Sequence, residues 1–130
     1  EQARFFLKQR GQDLESVEAA HRALEAALQA VLGALPLRYR RAKVTREDLP
    51  RFLFEPADVV VAVGQDGLVA NVAKYLDGQP VIAVCPGLPT VLARCPPRGF
   101  ADTLADVLAG RSPLEARTMV EARLDDGQVL

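Results

Sequence analysis

Cysteine is scarce in this chain: Cys85 and Cys95 are its two thiols. At 130 residues, a single domain buries roughly two-thirds of the surface that its unfolded chain exposes, so a stable core needs neither disulfides nor a metal. An excess of charge is missing too. Sixteen Lys and Arg against seventeen Asp and Glu leave a formal net charge of -1, which excludes a global field for nucleic acid or an anionic membrane. Any anionic ligand must be held locally. No apolar run approaches the roughly eighteen residues of a spanning helix, and the start, Glu1-Gln2-Ala3-Arg4, lacks the charged-then-apolar pattern of a secretory signal. Together these absences predict a reduced, cytoplasmic protein. What is present, 49% hydrophobic and 25% charged residues, suits one soluble globular domain.

Leu14, Val17, His21, Leu24, Leu28, Val31 and Leu35 recur at spacings of three and four, predicting one long helix from about Asp13 to Leu35, stopped by Pro36. With alanines flanking the stripe, packing on a sheet is favoured over a coiled-coil seam. His21 on that stripe reads as a core or edge residue rather than a ligand. Leu37 to Val44 alternates imperfectly and carries Arg38, Arg40, Arg41 and Lys43, which predicts a short basic edge strand; phosphate contacts are the competing use of those charges. Thr45 and Asp48 before Pro50 predict a capped helical turn.

Val59-Val60-Val61-Ala62-Val63 is a continuous, mostly β-branched run, expected of a strand buried on both faces of a parallel sheet. Gly64 to Gly67 turns the chain, Leu68, Val72 and Leu76 predict a helix, and Asp77-Gly78-Gln79-Pro80 ends it. Pro80 to Val84 reads as a second buried strand, so the segment is a strand, crossover helix and parallel strand. From Cys85 to Gly99 prolines and glycines predict a long loop. Phe100 to Ala109 predicts an amphipathic helix closed by Gly110, and Arg117 to Leu124 alternates as a strand before the hairpin pair Asp126-Gly127. The expected fold is therefore α/β, a mostly parallel sheet with helices on both faces. Residues 1–115 are expected to form its α/β domain, and residues 116–130 to begin a C-terminal β domain cut off inside the hairpin.

A buried strand that ends in Gly64-Gln65-Asp66-Gly67 and runs straight into a helix places that turn at the carboxyl edge of the sheet, where open α/β folds bind ligands. Gly64 and Gly67 remove side chains, so a diphosphate can approach the backbone, and the helix adds unpaired N–H groups and a positive dipole end. Asp66 repels phosphate, and beside a nucleotide it makes sense as a magnesium contact or as the base that orients an acceptor hydroxyl. The bland reading is a tight connection in which Asp66 caps the helix. Asn71 and Lys74, on the helix beyond the turn, could reach a ligand or simply stay solvated. Cys85 is an inert buried thiol or a reactive one; Arg94 and Arg98 on the proline-rich loop are soluble charges or phosphate clamps.

The stretch Asp58 to Leu68 resembles the Gly-Gly-Asp-Gly-Thr region of NAD kinases and their diacylglycerol kinase relatives, and Pro80 to Gly87, ending in Cys85-Pro86-Gly87, is similar to the strand that ends in Asn-Pro-Gly in that family. The likeness spans roughly Asp58 to Leu130. It implies a phosphotransferase that moves phosphate from ATP, with Mg2+, to a hydroxyl of NAD, in NADP biosynthesis, and that forms a homo-oligomer when full length. Carried over by position, it implies Asp66 for catalysis and metal, and Gly64, Gln65, Gly67, Leu68, Asn71, Cys85, Pro86 and Gly87 for nucleotide contacts. Three positions depart from the pattern: Gln65 stands for a glycine, Leu68 for a threonine and Cys85 for an asparagine. These leave open a nucleotide-binding regulatory module without turnover, and an interaction domain pairing through the Leu14 to Leu35 stripe is the third class.

Overall fold

The computed structural model describes residues 14–123 and Asp125. Among them three helices and a two-stranded parallel sheet make an α/β arrangement. Helix α1 spans Leu14–Ala34 and ends where Pro36 cannot continue it. Its apolar stripe buries Ala27 and Val31 in the C-terminal half, whereas Val17 is exposed and His21 sits in water beside Glu25, 3.3 Å away. His21 is therefore not a core residue: an i,i+4 partner on the solvated face satisfies it.

Strands β1 (Val60–Val63) and β2 (Val81–Val84) pair in parallel, with Val60 opposite Val81 and Val63 opposite Val84. Between them helix α2, Asp66–Ala73, makes the crossover. It begins two residues earlier than the apolar spacing predicts, so Asp66 and Gly67 belong to its first turn. Helix α3, Phe100–Leu108, closes the described core and ends at Gly110, whose φ of 69° is the left-handed conformation that glycine adopts freely.

Because side chains alternate across a strand, Val61, Val63, Ile82 and Val84 share one face, and they pack with Val31 of α1 and with Phe100 and Leu104 of α3. Phe100 and Val84 are completely enclosed. Ala62 turns to the opposite face, where Val72 of α2 is also buried outside that cluster. β1 is less enclosed than a doubly covered strand: Ala62 alone is fully buried in it. Its edge away from β2 carries no described strand and faces a cavity of about 870 Å³ that runs past Val31, Phe52 and Leu68.

Two expected strands do not form among the described residues, although Arg123, at the end of the second, takes part in a β-bridge. Residues 37–44 hold no strand; Leu37, Arg38, Tyr39, Arg40 and Arg41 are exposed, and the Tyr39 N–H turns back to the Pro36 carbonyl at 3.3 Å. Alternation without a neighbouring strand leaves backbone groups to water, and here the basic side chains keep them there. Residues 111–122 likewise form no helix or strand, while Leu124, Asp126-Gly127 and residues 128–130 lie outside the described residues, as does Asp13. The turn predicted before Pro50 is present as a 3-10 turn over Leu49–Arg51, but the Thr45 hydroxyl donates to Asp48 Oδ2 at 2.5 Å and Asp48 makes no side-chain cap.

The Cys85 to Gly99 loop is more ordered than its prolines suggest. Cys95 pairs with Val84 as an isolated parallel bridge, its N–H donating to the Ala83 carbonyl at 3.0 Å and its carbonyl accepting from the Cys85 N–H at 2.9 Å. The chain thus returns beside β2 before α3 begins.

Candidate functional site

Parallel pairing in register brings the ends of β1 and β2 to one edge. The Gly64 N–H donates to the Val84 carbonyl at 2.9 Å, so the Gly64–Gly67 turn and the Cys85–Gly87 turn leave the sheet side by side. This is the carboxyl end of the strands, where the open side of such a sheet meets ligands.

Asp66 stands at the start of α2 and is half-buried, yet its carboxylate does not cap its own helix. It reaches across to the loop that follows β2. Oδ1 accepts from the Thr90 hydroxyl, from the Leu92 N–H at 3.0 Å and from the Ala93 N–H at 3.0 Å; Oδ2 accepts from the Val91 N–H at 3.2 Å. Bonds from the Thr90 hydroxyl and then the Ala93 N–H, with Leu92 and Val91 adding to them and partial burial opposing, hold its carboxyl below the ordinary carboxylate value. Hydrogen bonds that favour the charged form outweigh the burial that disfavours it.

The two glycines of the turn serve different ends. A Cβ on Gly64 would meet Leu68 Cδ2 at 3.0 Å, so the space that this glycine leaves is taken by Leu68 folding back over it. A Cβ on Gly67 would meet nothing within 4 Å, and the backbone there stays open to a ligand. Gln65 is exposed and precedes the helix with no side-chain cap.

The remaining candidates divide by position. Pro86 and Gly87 lie on the neighbouring turn, with Gly87 exposed. Cys85 is buried, and its thiol donates to the Leu88 carbonyl at 2.8 Å, which gives it a structural task within the loop. Asn71 lies five residues past Asp66, about 140° further round the helix and more than a turn away from the sheet edge. Lys74 sits at the far end of α2. Arg94 folds back onto the loop, its Nε donating to the Val91 carbonyl at 3.1 Å, whereas Arg98 is exposed.

The residues that sequence reasoning passed over are Thr90, Val91, Leu92 and Ala93. A hydroxyl residue in a loop at a strand's carboxyl end is a signal in principle, but backbone donors leave no trace in residue identity. Among the described residues no three of His, Cys, Asp or Glu gather to hold a metal ion, and no helix is long and apolar enough to cross a membrane. Magnesium held by one carboxylate plus phosphate oxygens needs no such cluster. The fold defines the chain as a small α/β arrangement with two turns side by side at one sheet edge. No protein-family model, curated protein or solved structure matches it.

Proposed function

We infer that this chain is the nucleotide-binding domain of an NAD kinase-like phosphotransferase, with the phosphates of ATP or NAD lying against the Gly64–Gly67 turn and the neighbouring Cys85–Gly87 turn. The observation that carries this reading is the register of β1 and β2, which sets the two turns adjacent at the carboxyl edge. The open backbone at Gly67 and the helix start beside it supply room and N–H donors for phosphate oxygens. Mg2+ would meet Asp66 and supply charge neutralisation at the transferred phosphate. The chain's own part is to fix the phosphates and to hold a carboxylate near the acceptor hydroxyl.

A second reading has its own support: a module that binds nucleotide without transferring phosphate. Asp66 already accepts from the Thr90 hydroxyl and three N–H groups, which leaves little of its acceptor capacity for a metal or a hydroxyl proton. The leucine at position 68, which occupies the space beside Gly64, points the same way.

The experiment is phosphoryl transfer by the full-length protein, with ATP and Mg2+ offered NAD, diacylglycerol and sugars as acceptors, alongside a nucleotide-binding titration. Turnover that is lost in Asp66→Asn, with folding unchanged, supports the kinase. Saturable nucleotide binding without turnover supports the regulatory module. Neither binding nor turnover rejects both.

A further inference from the structure

Every group of the loop that meets the Asp66 carboxylate is a donor. The N–H groups of Val91, Leu92 and Ala93 and the Thr90 hydroxyl converge on one point, and an anion occupies it: the Asp66 carboxylate. Successive backbone N–H groups turned to one side make a concave seat for anions. The loop closes on itself through the Thr90 N–H, which donates to the Ala93 carbonyl at 2.9 Å, while its occupant, Asp66, lies on another element, 24 to 27 residues earlier in the chain. Seat and occupant can therefore separate while each stays folded.

Two features suit the seat to a phosphoryl group. Oδ1 takes three of the four bonds while Oδ2 takes one, so a planar carboxylate uses the donors unevenly, and a tetrahedral group with three free oxygens could divide them. Thr90 and Val91 are exposed, so a ligand can enter from solvent. Asp66 and a phosphate cannot share the seat, because both are anions competing for the same protons.

We propose that the Thr90–Ala93 loop is a phosphate seat which Asp66 fills in the free protein, and that the phosphoryl group of a bound nucleotide displaces the carboxylate and releases it toward the ligand. The proposal rests on the nucleotide reading above and names how that site is regulated. Asp66 has two positions in this scheme. Latched to the loop, it keeps the site closed to adventitious phosphate and is not available to a metal or hydroxyl. Displaced, it stands free at the start of α2, beside the open backbone of Gly67. Both readings of the chain accommodate the exchange, for it concerns binding and not transfer.

The test is a titration of the full chain with inorganic phosphate, followed by the backbone amide resonances of Val91, Leu92 and Ala93. Three chains are compared: the native chain, Asp66→Ala, and Asp66→Ala combined with Thr90→Val. Removing the internal competitor should tighten phosphate binding by at least ~10-fold over the native chain, with those three amides moving most, a shift of about 1.4 kcal/mol. Loss of the hydroxyl in the double variant should reverse a large part of that gain. Where Asp66→Ala does not fold, Asp66→Ser removes the carboxylate from the seat with a residue that suits a helix start, and gives the same comparison. Phosphate binding no tighter in the folded variant than in the native chain, or amide shifts confined to other loops, overturns the seat. A parallel titration with ATP separates the two claims: phosphate bound at the seat with no ATP binding by any of the chains rejects the nucleotide reading and leaves the seat standing.

Discussion

Asp66 and Thr90 are joined by a hydroxyl-to-carboxylate hydrogen bond across 24 residues of chain, and this contact ties the start of α2 to the loop that follows β2. Both ends sit at the same sheet edge because β1 and β2 are paired in register. Three N–H donors from the residues after Thr90 reinforce it, so the protection of these amides depends on a side chain from another element. The dependence can be measured directly. In Asp66→Asn, amide exchange at Leu92 and Ala93 should speed up by at least ~10-fold, as expected when a local opening becomes easier while the core is intact. Amides of β1 and β2 should be unchanged. Equal exchange at Ala93 in both chains means that the carboxylate does not hold the loop.

Acid should open the same latch. The bonds from Thr90 and Ala93 lower the Asp66 carboxyl below its ordinary value, so the folded chain holds the charged form more tightly than the unfolded chain does. The stabilisation is complete above the unfolded value of about 3.9 and disappears as pH falls through the lower, folded one. Between pH 5 and 8 it should not vary. Following the Asp66 side-chain carbonyl and the Ala93 amide by NMR from about pH 6 to 2 should give one shared midpoint below that of an exposed aspartate. A midpoint at or above the ordinary value would contradict the bonding described for Asp66.

Much of the frame was legible in residue order, and the reasons differ by element. Val60–Val63 and Val81–Val84 are short β-branched runs bounded by glycine or proline, and α3 carries its buried Phe100 and Leu104 four apart, so local periodicity sufficed. It failed where a strand must find a neighbour. Leu37 to Val44 alternates imperfectly and carries Arg38, Arg40, Arg41 and Lys43, as an edge strand would, but nothing in that pattern says that a partner edge lies within reach. The candidate site was legible by half. Glycines and an aspartate after a buried strand mark the turn, whereas the donors that engage Asp66 are main-chain groups of Val91, Leu92 and Ala93, whose side chains carry no sign of that task. The stripe on α1 overstated burial for a related reason: periodicity locates a face, and only the neighbouring elements decide how much of it is covered.

Phe100 anchors the described core. It is fully enclosed and packs in one cluster with Val31, Ile82, Val84 and Leu104, so it joins α1, β2 and α3 at a single point. Phe100→Ala removes a large side chain where three elements meet and should cost about 3–5 kcal/mol in denaturant unfolding. Leu88→Ala, at a side chain 87% exposed on the site loop, is the control and should change stability by less than about 0.5 kcal/mol. Similar losses in the two variants would mean that α3 does not seal the core as described.

Gly67 separates folding from ligand binding more cleanly than any other position of the turn. It belongs to the first turn of α2, and a Cβ placed on it meets no atom within 4 Å. Helix propensity then favours alanine, which fixes the backbone at lower entropic cost, so Gly67→Ala should leave stability unchanged or raise it by up to about 1 kcal/mol. Phosphate oxygens approaching the same backbone would meet the new methyl group. Nucleotide affinity, measured by titration calorimetry on the full-length protein, should therefore fall while the unfolding midpoint holds or rises. The opposite pattern, native affinity in a stable Gly67→Ala chain, would place the ligand elsewhere on the sheet edge. Gly64→Ala cannot make this distinction, because the added Cβ presses on Leu68 at 3.0 Å and disturbs the turn itself whether or not a ligand is bound.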